Sequence, residues 1–252
     1  VLIRVPEQTE RDLAIWAIRE RADALNAQRT KFRVRAREAM AEIRGFAAGG
    51  PCYAGVSWGK DSTVLASLIV QLRRTTGVTI PLVWIVARPR ENPHCALVRD
   101  AFLATAGDHP YEEIESRCEQ TDTGWSALGT LERGFARAAK AYGERYVSGV
   151  RGDESAQRAL RMARYGVATQ RTCAPIGRWS AQDVWAYLYA HDLPVHPAYA
   201  MSMGGLIDRD RIRVATLGGR RGDGWGRATW EWRYYHRALD AIGHRTGDDR
   251  PR

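Results

Sequence analysis

Lysine is nearly missing from this chain. Of its 38 Lys plus Arg residues only Lys31, Lys60 and Lys140 are lysines, so arginine carries almost all of the formal net charge of +9. Much of that excess is what a compositional bias of the coding sequence would produce, and against that background Lys60, set in a glycine turn, stands out. The positive charge points to an anionic partner without separating a nucleotide from a nucleic acid or an acidic protein. Cysteines are few and scattered: Cys52, Cys95, Cys118 and Cys173 form no CxxC pair and no Cys/His cluster at zinc spacing. A disulfide framework, an iron–sulfur cluster and a structural zinc are therefore not expected. No apolar run approaches a membrane span and no signal-peptide pattern opens the sequence, so a cytoplasmic protein with no membrane partner is expected. There is no internal repeat. Hydrophobic residues at 44% and charged residues at 27% suit a globular chain. A length of 252 residues allows one large domain with appendages.

The periodicity divides the chain. Residues 1–8 read as an extended arm. Thr9 is a helix N-cap with Asp12 in the first turn, and two amphipathic helices follow up to Ala48. Leu13, Ile15, Trp16, Ala22 and Leu25 form the apolar stripe of the first; Phe32, Ala36, Met40, Ile43 and Phe46 form that of the second. Gly49-Gly50 stops them. Strands are expected at Tyr53–Val56, Ile80–Val86, Tyr111–Glu115 and Arg145–Val150, with helices after Ser62, over His94–Ala106 and over Trp125–Tyr142. Ser180 caps a further helix through His191, and a helix rich in Trp225, Trp230, Trp232, Tyr234 and Tyr235 follows the glycine- and arginine-rich run 218–224. The last six residues read as frayed. Strands alternating with helices imply an α/β fold, a doubly wound, mostly parallel, Rossmann-like sheet. Residues 1–50 are expected to form a helical N-terminal extension, 51–200 the α/β domain, and 201–252 a Trp/Arg-rich C-terminal segment packed on it.

In such a sheet ligands bind at the carboxyl ends of the strands. That brings the loops 57–62, 87–92 and 151–158 around one crevice. The first, Ser57-Trp58-Gly59-Lys60-Asp61-Ser62, lies between a strand and a helix N-terminus, where backbone N–H groups and the helix dipole attract an anion. It is not a Walker loop: three residues separate Gly55 from Gly59, and Asp61 follows the lysine. No G-x-G-x-x-G precedes a ribose-binding acid. Gly59 lets backbone approach phosphate oxygens, Lys60 supplies a point charge, Ser57 and Ser62 offer hydroxyls, and Asp61 either holds a magnesium ion or orients the lysine.

This loop resembles the S-G-G-K-D-S signature of the PP-loop ATP pyrophosphatase superfamily, with Trp58 in place of the first glycine. Gly149-Val150-Arg151-Gly152-Asp153-Glu154-Ser155-Ala156-Gln157-Arg158 resembles the G-x-R-x-x-E-S-x-x-R element of its phosphoadenosine phosphosulfate (PAPS) reductase-like branch, which includes the small subunit of sulfate adenylyltransferase. Pro175-Ile176 with Trp179, Asp183, Val184, Trp185 and Tyr187 continues the branch pattern, and Pro197-Ala198-Tyr199 extends it.

The resemblance implies an adenine nucleotide alpha-hydrolase-like fold. It also implies ATP and magnesium as ligands, bound by Ser57, Trp58, Gly59, Lys60, Asp61 and Ser62, with Ala87 and Gly149 at the neighbouring strand ends. Lys60, Arg151 and Arg158 would act on the phosphates, Glu154 would order the arginines, Asp61 is the candidate metal ligand, and Ala54–Ser57 with Val86 would flank the adenine. Reductases of the branch use a C-terminal cysteine nucleophile, and no cysteine follows Cys173. The expected reaction is therefore cleavage of ATP between its α and β phosphates, adenylylating an unidentified acceptor in sulfur metabolism or sulfur modification. A sulfonucleotide reductase-like activity is the alternative, and a non-catalytic nucleotide- or nucleic-acid-binding module the second. A homodimer or a partner protein stays open. Nucleic acid is the less favoured acceptor.

Overall fold

The computed structural model of the chain describes residues 1–121, 124–126, 129–214, 216–218 and 226–243. Helix α1 (Glu10–Ala27) opens with a capping box: the Thr9 hydroxyl accepts the Asp12 N–H and the Asp12 carboxylate accepts the Thr9 N–H. Its apolar stripe departs from the expectation. Trp16 is buried, but Ala22 and Leu25 face solvent. The helix instead buries two carboxylates. Asp12 accepts the N–H groups of Ser202 and Gly204 and the hydroxyls of Ser202 and Tyr234. Asp23 takes both guanidinium nitrogens of Arg209 at 2.7 and 2.6 Å, and that guanidinium lies 4.1 Å from the Trp185 ring centroid. Buried charges of this kind hold only when paired. A periodicity of apolar residues could not reveal them. Helix α2 (Lys31–Ala48) follows its spacing, with Phe32, Ala36, Ile43 and Phe46 buried and Met40 half-buried.

Strand β1 (Tyr53–Val56) leads into α3 (Lys60–Thr76), whose Val64, Leu65, Leu68, Ile69 and Leu72 are all buried. Then come β2 (Leu82–Arg88), α4 (His94–Ala106) and β3 (Tyr111–Arg117). The second strand starts two residues later than its apolar run, because Leu82 is the first residue in register with β1. A short antiparallel pair, β4 (Glu119–Thr121) and β5 (Gly124–Ser126), occupies the stretch where the expected helix would begin. Helix α5 is Thr130–Tyr142, starting after Gly129 at φ 78°. Strand β6 (Tyr146–Ser148), α6 (Ala156–Tyr165), β7 (Thr172–Cys173), α7 (Ala181–Ala190) and α8 (Arg227–Ala241) complete the order. Trp225, residues 219–224 and the last six residues lie outside the described residues.

The five strands of the main sheet run parallel in the order β3-β2-β1-β6-β7. The chain moves outward from β1 to β3 and then returns to the other side of β1, so the order reverses between β1 and β6. At such a switch point the two strand ends splay their loops apart and leave a crevice. Helices cover both faces. Residues of α2, α3, α4 and α7 pack with Ala54, Val56, Leu82, Trp84 and Val86 on one side. On the other, Ala138 of α5 packs with Tyr53, Val83, Ile85 and Ile114. Gly134 allows that close approach, since a methyl group there would come within 2.2 Å of Ile85 Cγ2. No helix among the described residues is long and apolar enough to cross a membrane.

Candidate active site

The loop between β1 and α3 is tied to itself. The Ser62 hydroxyl accepts the Ser57 N–H at 3.1 Å and donates to the Gly59 carbonyl at 3.0 Å; the Thr63 hydroxyl donates to the same carbonyl at 3.1 Å. Gly59 is the N-cap of α3 and has no side chain to cap it; the Tyr199 hydroxyl accepts the first N–H, that of Lys60, at 3.0 Å. By contrast Thr9, Ser155 and Ser180 cap α1, α6 and α7. The 17-residue helix α3 thus starts at the switch point without a cap from its own N-cap residue, and there the dipole favours an anion.

Two nearly buried cations converge there on one carboxylate. Lys60 Nζ lies 2.8 Å from one oxygen of Asp61 and Arg151 Nε 2.6 Å from the other, with the lysine and arginine side chains 5% and 3% exposed. Arg151 also bonds Asp153 at 3.2 Å and the Trp179 carbonyl at 3.3 Å. Burial alone would lower the Arg151 pKa; Asp61, Glu154 and Asp153 more than offset it, so the pKa is raised and the side chain is a permanent cation. Glu154 accepts from the Arg151 backbone N–H and pairs with Arg158. Glu154 thus bonds both arginines of the 149–158 element. Each oxygen of Asp61 thus meets one cation.

These groups line one open cleft of about 400 Å³. Ser57, Gly59, Lys60, Asp61, Ser62, Gly149, Glu154 and Arg158 face it, and Arg151 lines an adjoining cavity of about 270 Å³ that shares Lys60, Glu154 and Arg213. Gly149 is pressed against the start of α3: a methyl group there would lie 2.9 Å from the Asp61 carbonyl carbon. Trp58 and Ala87 are not among the lining residues. The Trp58 indole is fully buried on the opposite side, against Phe102 and Tyr111 at ring distances of 5.5 and 5.8 Å. Ala87 is buried, and its N–H goes to Glu91 at 3.0 Å. Nor does Val86 flank the cleft. Side chains alternate across a strand, so Val83 and Ile85 face it, together with Leu131 and Phe135 of α5.

Sequence reasoning missed that apolar wall, the strap residues Ile212, Arg213 and Val214, and the cleft position of Tyr199. For Val83 and Ile85 the period of two was a usable signal. For the strap there was none, because its path depends on distant anchors: Arg90 holds the Leu217 carbonyl at 2.6 Å, and Arg209 holds Asp23.

Residues 111–232 match the family model of the phosphoadenosine phosphosulfate reductase domain. Over that stretch the chain is similar to a PAPS reductase domain, in agreement with the resemblance read from its motifs. The match includes the arginine element at 149–158 and the Trp179–Tyr187 element. The Ser57–Ser62 loop lies before it and stands on its own residues. Comparison with curated proteins found no match. Among solved structures, the U34-tRNA thiolase NcsA from Methanococcus maripaludis with its [4Fe-4S] cluster aligns over 87% of this chain and 83% of its own. The sequence identity is 13% and the TM-score 0.45. The thiolase corrects one expectation. It carries an iron–sulfur cluster, so the exclusion of such a cluster, drawn from cysteine spacing alone, does not stand. Spacing along a chain does not determine which thiols meet in space.

Proposed function

We propose that this chain binds ATP in the cleft, with the β and γ phosphates on the Ser57–Ser62 loop, and transfers the adenylyl group to an acceptor in a sulfur-related reaction. The observation that carries the reading is the convergence of Lys60 and Arg151 on Asp61 at the start of α3. An acceptor oxygen attacks the α-phosphorus, the bond to the bridging oxygen breaks, and its electrons leave with pyrophosphate. Buried fixed cations where that charge develops are what the step requires. Arg158, held by Glu154, would meet the α-phosphate side, and Val83, Ile85, Leu131 and Phe135 offer a surface for adenine. The adjoining cavity at Arg151 and Arg213 gives the acceptor a route to the same phosphorus. Among the described residues no histidine lines the cleft, and its carboxylates Asp61 and Glu154 are paired with cations, so the reading rests on positioning and charge.

Asp61 is a poor magnesium ligand as arranged, since both its oxygens are taken by cations. Among the described residues no group of three His, Cys, Asp or Glu could hold a metal ion. A magnesium ion would enter on the nucleotide's own phosphates. Residues 51–200 are the proposed catalytic unit, with 1–50 and 201–252 as its supports.

The family match favours a second reading, a sulfonucleotide in place of ATP with reduction by an external thiol. The chain's own Cys173 is a poor nucleophile: it is fully buried in β7, and burial pushes its thiol up to about 12. Purified protein with ATP, magnesium and candidate sulfur-bearing acceptors should yield pyrophosphate with AMP or an adenylylated product. ADP and phosphate as the only products would overturn the reading. Sulfite released from a sulfonucleotide by added dithiol would select the second.

A further inference from the structure

Tyr199 enters the cleft from a short turn, Pro197–Ala200, that belongs to neither the loop nor the sheet. Its side chain is buried, at 3% exposure, and its ring lies 5.5 Å from Lys60 Nζ. The hydroxyl accepts the backbone N–H of Lys60 at 3.0 Å, and a methyl group on Gly59 would approach it to 3.2 Å. The phenol oxygen therefore stands over the glycine of the loop and holds the first N–H of α3, one of the donors that a phosphate at a helix start would take.

A phenol oxygen that accepts one hydrogen bond still has its own proton to donate. Among the described residues no hydrogen bond from that proton is formed, and the residue lines the cleft. Burial, and secondarily the charge of Asp61, raises its pKa, so it is a neutral donor at physiological pH. A buried, uncommitted donor beside the Lys60 cation is suited to an anionic oxygen.

We infer that Tyr199 is a phosphate-contacting residue whose hydroxyl relays the Lys60 N–H to an oxygen of the pyrophosphate end of the ligand. The inference rests on the nucleotide reading of the cleft and adds a binding residue to it. The relay runs from the Lys60 N–H to the tyrosine oxygen and from the tyrosine O–H to phosphate, each bond polarising the next. In the opposite arrangement phosphate displaces the hydroxyl and takes the Lys60 N–H itself. The two differ in sign for Tyr199→Phe, which keeps the ring and its contact with Lys60 but removes the hydroxyl.

The test is calorimetric binding of ATP, pyrophosphate and AMP to the wild-type chain and to Y199F. Loss of pyrophosphate affinity by about 10-fold or more, the usual effect of removing a hydrogen bond to a charged group, with AMP affinity unchanged, is the expected result. Equal or tighter pyrophosphate binding by Y199F overturns the relay and leaves the nucleotide reading standing. If the wild-type chain binds neither ATP nor pyrophosphate, both fall together. Should Y199F fold poorly, wild-type protein labelled with ζ-13C tyrosine provides the second readout. Among the described residues Tyr199 is the one tyrosine that lines the cleft; pyrophosphate, and not AMP, should shift one tyrosine signal, and no shift overturns the inference.

Discussion

Trp58 has a backbone φ of 59°, a left-handed conformation that favours glycine and costs other residues roughly 1–2 kcal/mol. Glycine, which the resembled signature has at this position, would adopt that conformation without the strain. In this chain the indole is fully buried against Phe102 and Tyr111, and burial of a large aromatic group outweighs the strain. Trp58→Gly should relieve the backbone but open a cavity worth about 3–5 kcal/mol, a net loss that lowers the thermal midpoint by about 5 °C or more. Pyrophosphate affinity should barely change, since the indole points away from the cleft. A variant that melts at or above the wild-type temperature would show that packing does not offset the strain. The sequence presented Trp58 as the odd residue of a ligand loop. Its actual place required knowing which side of the loop α4 and β3 occupy.

At the scale of elements, the start of α3 and the end of β6 are held in contact by the absence of a side chain. Gly149 permits an approach in which a β-carbon would lie 2.9, 3.0 and 3.1 Å from the Asp61 carbonyl carbon and oxygen and the Ser62 nitrogen. These are backbone atoms of a helix start and cannot step aside cheaply. Gly149→Ala should therefore displace the loop, costing about 1–3 kcal/mol of stability and most of the pyrophosphate affinity; isothermal titration against the wild-type chain checks it. Retained affinity would mean that β6 yields instead of α3. Helix α5 and the capped helices α1 and α7 were legible from spacing and caps. The start of α5 was misplaced because the segment around Trp125 has helix-compatible residues, while Gly129 and the pairing of β4 with β5 end that run before Thr130. Short strands that pair locally leave too few residues for a period to show.

For the whole molecule, buried histidines tie stability to pH. Burial lowers the pKa of His94, His109 and His196, the last most strongly with a further push from His94. A histidine depressed in the folded state takes up protons first in the unfolded chain. Its contribution to stability is complete above the unfolded value of about 6.5 and is lost as pH falls from there towards the folded value. Asp23 and Glu91, raised mainly by burial, act in the opposite sense in the acidic range. The thermal midpoint should hold steady from pH 8 to 7 and fall as the pH drops below about 6.5. A midpoint that rises over that interval would contradict the buried, neutral state of these rings.

From the sequence alone came the alternation of strands and helices, the strand–loop–helix setting of Ser57–Ser62 and the arginine element at 149–158. These are local patterns, set by side-chain period, glycine placement and helix capping, and neighbours in the chain suffice to express them. Only the tertiary structure brought Arg151 onto Asp61, laid Tyr199 over Gly59, turned Trp58 into the core and ran the strap past the cleft from its anchors at Arg209 and Arg90. Each of those depends on residues 90 or more positions apart meeting at a switch point, or on burial by elements remote in sequence. Packing and the pairing of buried charge decide such meetings, and neither leaves a period in the chain.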